Sequence, residues 1–389
     1  MAPFQPTPPT FTSLAQLQDL CLALSTPIET GQDRLAAQIR LRLDALTKPP
    51  GSLGRLEELV VWLGLCQRRA MPTLQNCHTL IFAGNHGVTA QNVSPYPQQV
   101  TAEMVKNFHN GGAAINQLTQ QVGNRLQVIT LNALHPTRDF SQEPAMSEQQ
   151  FLDCVATGYK SVPPEADLLC LGEMGIGNTT AAAALSCALF EKPSPSATGM
   201  ASAQGSPSAV DWAAKDRTAE GWTTEEWAKK NWATEDWVGA GTGLSLSQQR
   251  HKAKVIETAL TNPANDFSTP FDAARIFGGF ELAALLGATL AARNLHIPLI
   301  IDGFVCTAAL APLWCMAPSL LDHCQLGHLS AEKAHAKLAA QLNLTPLLHL
   351  GMRLGEGSGA VLSVNLIRAA LSCYRGMKTF DEAHIASSS

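Results

Sequence analysis

Three segments of this chain pair residue types whose chemistry depends on close backbone approach or on an isolated carboxylate. Gly172-Glu-Met-Gly-Ile-Gly-Asn-Thr-Thr180 has the spacing of a P-loop, G-x-x-x-x-G-K-[ST], with Asn178 where the lysine belongs. Glycines let backbone N–H groups approach an anion, and a helix N-terminus adds its positive end. Without the lysine a triphosphate loses its point-charge partner, so a singly phosphorylated ligand fits the segment better. The competing reading is a tight strand-to-helix turn capped by Thr179 and Thr180. Val238-Gly-Ala-Gly-Thr-Gly-Leu244 is a second glycine loop, weak alone, whose value is as another wall for the same phosphate. Leu354-Gly-Glu-Gly-Ser-Gly359 sets one carboxylate, Glu356, among glycines ahead of an apolar stretch. Absent side-chain bulk admits a substrate, and partial burial raises a carboxyl pKa towards that of a general base. Equally, Glu356 reads as a first-turn glutamate favoured by the helix dipole.

Gly84-Asn-His-Gly-Val88 and the polar, proline-bearing stretch to Met104 form a long loop suited to lining a pocket for a flat ring. His86 reads as a loop histidine bonded to nearby backbone. None of the 11 histidines falls in a metal-ligand spacing, so no metal and no cofactor is expected. The 10 cysteines include no Cys-x-x-Cys pair and several lie in apolar runs, which reads as reduced, mostly buried thiols.

Positioning these loops calls for a large core, and 389 residues with 46% hydrophobic and 15% charged side chains can build one. A formal net charge of −5 provides no basic field for nucleic acid. The N-terminus has no charged-then-apolar leader and no uncharged apolar stretch reaches membrane-spanning length, so a cytoplasmic address is expected.

From about residue 73 the texture is short apolar runs, each followed by glycine and a helical stretch. The candidate strands are 78–83, 126–131, 167–171, 298–302 and 347–350. Strands alternating with helices predict an α/β fold with a mostly parallel, Rossmann-like sheet, whose ligands bind beyond the carboxyl ends of the strands. The expected organisation is a disordered tail over 1–11 and a helical segment over 12–72 that joins the C-terminal helices in a smaller domain. An α/β domain follows over 73–345, then a catalytic strand-loop and helix over 346–378 and a tail over 379–389. Within the α/β part, residues 192–237 carry a Pro/Ser/Ala/Gly stretch and then Trp212, Trp222, Trp227, Trp232 and Trp237. The last four recur every five residues, a period that suits neither helix nor strand, and the segment reads as a surface insertion.

Taken in order, Leu46-Thr-Lys-Pro-Pro-Gly-Ser-Leu-Gly-Arg-Leu-Glu57, the Gly84–Met104 loop, Gly172–Thr180, Gly239–Leu244, Ile301-Asp-Gly-Phe304, Leu329-Ser-Ala-Glu332 and Arg353–Gly359 resemble one family. It is the nicotinate-nucleotide–dimethylbenzimidazole phosphoribosyltransferase family of cobalamin lower-ligand synthesis, and the resemblance spans roughly residues 35–372. It implies transfer of phosphoribose from nicotinate mononucleotide to 5,6-dimethylbenzimidazole, with inversion, giving nicotinate and α-ribazole 5′-phosphate. It places the general base on Glu356. It places the phosphate site on Gly175, Gly177, Asn178 and Thr179 and on Gly239, Gly241 and Gly243. Other substrate contacts carry over to Glu173, Ser94, Met104 and Leu354, the last three for the benzimidazole pocket. A homodimer is implied as well. The 192–237 stretch is longer than the family's usual connection between the two glycine loops. The alternatives are an ATP-binding protein with a degenerate P-loop and a non-catalytic nucleotide-binding member of the family.

Overall fold

The computed structural model describes residues 10–191, 234–241 and 243–386. In chain order the elements are α1 (Leu14–Leu24), α2 (Asp33–Ala45), α3 (Arg55–Gln67), β1 (Cys77–Ala83), α4 (Gln99–His109), α5 (Ala114–Val122) and β2 (Arg125–Thr130). Next come α6 (Glu148–Lys160), β3 (Leu168–Met174), α7 (Asn178–Phe190), α8 (Thr234–Trp237), α9 (Leu246–Thr261), α10 (Pro270–Phe277) and α11 (Phe280–Asn294). The chain closes with β4 (Leu299–Ile301), α12 (Phe304–Met316), β5 (Cys324–His328), α13 (Lys333–Gln341), β6 (Pro346–Leu348), α14 (Ser358–Gly376) and α15 (Phe380–Ala383).

The six strands form one sheet in the order β2-β1-β3-β4-β5-β6, and every pairing is parallel. The chain leaves β1 for β2 on one side and then crosses to β3 on the other. The carboxyl ends of β1 and β3 therefore flank a topological switch point, where a crevice opens above the sheet. Alternation along the strands feeds two cores. Leu80, Phe82, Leu169, Leu171, Leu299 and Ile301 face one, whereas Cys77, Ile81, Leu168, Cys170 and Ile300 face the other, the period of two that a doubly covered sheet requires.

On the first face α6 and α11 pack so closely that a Cβ on Gly158 would stand 1.8 Å from the Ala284 carbonyl oxygen, and one on Gly287 1.9 Å from that of Val155. On the second face Ile39 and Leu43 of α2 and Leu59 and Leu63 of α3 meet Ile367, Leu371 and Tyr374 of α14. The expected partnership of N- and C-terminal helices is present there, although these side chains share their core with the strands. Helix α1 departs from it: Leu17 and Cys21 pack into the opposite core.

Three expected boundaries shift. Phe11, assigned to the tail, is buried edge-on to Tyr159 with ring centroids 6.5 Å apart. Thr379, also assigned to a tail, bridges Leu46 and caps α15. Trp237, placed at the end of the insertion, is fully buried, stacks on Phe190 at 6.1 Å and donates to Glu191 Oε1 at 3.0 Å. A large indole with one satisfied N–H is a core residue. Residues 192–233, with Trp212, Trp222, Trp227 and Trp232, lie outside the described residues, as do positions 1–9 and 387–389. Strand β5 was not expected: Cys-Gln-Leu-Gly-His has no apolar run to mark it, and Gly327 is needed because a Cβ there would stand 2.7 Å from the Ala360 Cα.

Candidate active site

The glycine loop after β3 opens α7 as its spacing predicts. Gly177 takes a left-handed conformation at the N-cap (φ 96°), and Asn178 N donates to Gly175 O at 3.1 Å. Gly175, Gly177, Asn178 and Thr179 line a small cleft with Gly241 of the second glycine loop and with Val93, Ser94 and Leu244. Ser94, expected against a flat ring, thus stands beside the glycine loop after β3. Gly239 and Gly243 flank Gly241 without lining the cleft. Gly239 packs so tightly on Glu332 that a Cβ would lie 2.0 Å from its Oε2, and nothing lies within 4 Å of a Cβ on Gly243. Thr242 lies outside the described residues.

The lysine missing from the P-loop spacing arrives from elsewhere. Lys252 of α9 is 1% exposed and its Nζ donates to Thr179 Oγ1 at 2.8 Å. Burial lowers its pKa to about 8, with Glu332 opposing the shift. A signal for it existed in the sequence: Lys252 shares the apolar face of α9 with Ile256 and Ala259, an unusual seat for a cation unless it has work on an anion. Thr179 is therefore engaged by an ammonium and is not left to hold a metal, which disfavours the degenerate P-loop reading.

Glu356 lies on the loop after β6. Residues 355–357 all adopt left-handed φ (80°, 65° and 80°). For the non-glycine Glu356 this costs about 1–2 kcal/mol, a kind of strain that clusters at functional sites. The turn presses on β3, since a Cβ on Gly172 would meet Gly357 N at 2.5 Å. The Glu356 side chain is 5% exposed, its Oε2 has no hydrogen-bond partner among the described residues, and burial followed by the charge of Asp302 raises its pKa to about 7. Leu354, in contrast, is 54% exposed at the rim. Met104 lies on α4 and packs, half-buried, with Met174 and Val128 against the second core.

Glu173 ties the two halves together. It accepts a hydrogen bond from the Asn178 side chain and packs on Gly355, where a Cβ would meet its Oε1 at 2.7 Å. Burial first, then the charges of Asp302 and Glu281, push its pKa up to about 8. Arg353 supplies a second tie, donating to Gly241 O at 2.9 Å. His86 corrects an expectation. Its ring is fully buried and Nε2 is paired with Glu281 of α11, not with nearby backbone. The sequence offered no hint of that partner, 195 positions away. No group of three or more His, Cys, Asp or Glu suited to a metal occurs among the described residues. A cleft of about 760 Å³ lies elsewhere, between α2, α3 and the Pro27–Glu29 stretch. It shares no residue with the glycine loops.

The arrangement combines a glycine-lined cleft at the N-terminus of α7 with one buried cation, a raised-pKa carboxylate on a separate turn, and links between the two. It can hold an anionic group and remove a proton a short distance away. Comparison with known proteins agrees. Residues 28–212 and 228–385 match the family described as phosphoribosyltransferase. The nicotinate-nucleotide–dimethylbenzimidazole phosphoribosyltransferase of Mesorhizobium japonicum is 46% identical over 376 residues, 97% of this chain and 99% of that one. The protein of the same name from Ruegeria pomeroyi is 42% identical over 379 residues, again 97% and 99%. A crystal structure of the Thermus thermophilus enzyme superposes with a TM-score of 0.74 at 35% identity, covering 92% of this chain and 99% of that chain.

Proposed function

The chain belongs to the nicotinate-nucleotide–dimethylbenzimidazole phosphoribosyltransferase family, and from that premise we propose how its residues carry the transfer. The substrates are nicotinate mononucleotide and 5,6-dimethylbenzimidazole, and the products nicotinate and α-ribazole 5′-phosphate. The observation that carries the residue assignment is the buried, unpaired Glu356 carboxylate with its pKa near 7, on a turn locked to the glycine loops.

The 5′-phosphate sits against Gly175, Gly177, Asn178, Thr179 and Gly241, with the ammonium of Lys252 replacing the absent motif lysine. One ring nitrogen of the base attacks the anomeric carbon with its lone pair, opposite nicotinate. The C–N bond to nicotinate breaks, and its electron pair neutralises the pyridinium. Because the leaving group departs from a cationic ring, it needs neither a proton nor a metal. The proton on the other ring nitrogen passes to Glu356, which later returns it to solvent. Leu354, exposed beside Glu356, offers apolar surface to the benzimidazole. We place the enzyme in the cytoplasm as a homodimer. No described helix is long and apolar enough to cross a membrane, and Leu350 and Leu354 remain exposed at the rim for a substrate or a second subunit to cover.

The test is to incubate the protein with nicotinate mononucleotide and dimethylbenzimidazole and follow α-ribazole 5′-phosphate. Glu356→Gln is expected to lower turnover by ~10²–10⁴ while nucleotide binding persists. Unchanged turnover would remove Glu356 from the role of base, and stabilisation by ATP alone in a thermal-shift comparison would refute the substrate assignment.

A further inference from the structure

Asp302, fully buried just beyond β4, accepts three backbone hydrogen bonds from the start of α14. Gly357 N donates to Oδ2 at 3.2 Å, and Gly359 N and Ala360 N donate to Oδ1 at 2.8 Å and 3.0 Å. These N–H groups belong to the set that a helix start leaves without intrahelical partners, and with the macrodipole they form its anion site. Glu356 immediately precedes the N-cap, Gly357, yet makes none of these bonds, and its Oε2 stays unpaired among the described residues.

We propose that Asp302 is a positioning residue for the transfer reaction: by filling the anion site of α14 it keeps Glu356 out of that site and available to the proton of the attacking base. The inference rests on Glu356 acting as that base. Without Asp302, Glu356, the residue directly before the N-cap, is a carboxylate placed to answer those donors. Held there, it would be stabilised as an anion and would bind a proton less readily. Occupancy by Asp302 thus acts twice in the same direction, removing the stabilising donors and adding a negative charge. That charge follows burial among the causes that lift the Glu356 pKa. The other titratable groups at this corner are Glu173 and Cys170 of β3, Cys306 of α12, Glu281 of α11, which acts on Glu173, and His328 at the end of β5, with Nε2 3.5 Å from Asp302 Oδ1.

Asp302→Asn removes the charge and retains an oxygen able to accept from Gly359 and Ala360. The acid limb of kcat/KM is expected to move down by about one pH unit and the plateau rate to fall roughly tenfold. The KM for nicotinate mononucleotide should change by less than about twofold, because the phosphate loops are untouched. A folded variant that loses thermal stability but keeps the wild-type acid limb would show a purely structural role and overturn the proposal. Should the variant not fold, the wild-type carboxyl can be titrated by infrared difference against Glu356→Gln. Protonation near pH 7 supports the proposal, and protonation below the ordinary 4.5 overturns it. The two readings fail separately. If Glu356→Gln abolishes the acid limb and Asp302→Asn leaves it in place, only the positioning role is lost. If Glu356→Gln keeps full turnover, the base assignment fails and this inference with it.

Discussion

Lys252 reaches Thr179 from a helix 73 positions downstream, so the cation of the proposed phosphate site and the glycines that frame it come from separate parts of the chain. Its loss should appear in binding. Lys252→Met is expected to raise the KM for nicotinate mononucleotide by about 10–100-fold, the scale of one charge-assisted hydrogen bond, with a smaller effect on kcat. Its lowered pKa, about 8, sets a basic limb, because the ammonium discharges above it. With Glu356 active once deprotonated above about 7, kcat/KM should peak between the two values. Glu173 makes a prediction about stability. Its folded pKa, about 8, lies above the ordinary 4.5. Between those values the folded state holds a proton that the unfolded state has released, so stability falls as pH rises through the window and levels off above it. Glu173→Gln has no such penalty, and its oxygen can still accept from Asn178. Its melting temperature at pH 8 should exceed that of the wild type by on the order of 5 °C, with the gain vanishing near pH 4.5.

The elements that aim these side chains do so through close backbone contacts. The Glu356 turn lies directly on Gly172 of β3, and α6 meets α11 through Gly158 and Gly287. Helix α11 in turn carries Glu281, the fully buried partner of His86. Gly158→Ala should push α6 and α11 apart at a cost of about 1–3 kcal/mol, seen as a lower chemical-denaturation midpoint. Activity should fall with it only to the extent that Glu281 and the loop after β1 shift, which a crystal structure of the variant would reveal. The left-handed run at residues 355–357 has a related function. It leads directly into α14, where Asp302 and not Glu356 meets the first N–H groups.

At the scale of the whole molecule, light scattering should return about twice the 41.4 kDa chain mass if the enzyme is a homodimer; a monomeric mass would refute that assembly. The parallel α/β architecture and most strand and helix positions were legible in the chain, because periodicity and glycine punctuation are local properties that the backbone obeys wherever an element finally packs. The glycine loop after β3 and the Glu356 loop were legible for the same reason. The residues alone left Glu356 between a helix-dipole glutamate and a general base, and only the fold shows that Asp302, not Glu356, sits on the α14 donors. Likewise Lys252 at Thr179, His86 on Glu281 and Trp237 in the core depend on partners far away in sequence. So do burial and charge proximity, which bring two carboxyl pKa values up to about 7 and about 8. The sequence by itself determined which groups this protein has for chemistry and which elements carry them. Tertiary structure alone decided which groups share a dielectric and a hydrogen bond, because those depend on distances across the sheet that no local pattern encodes.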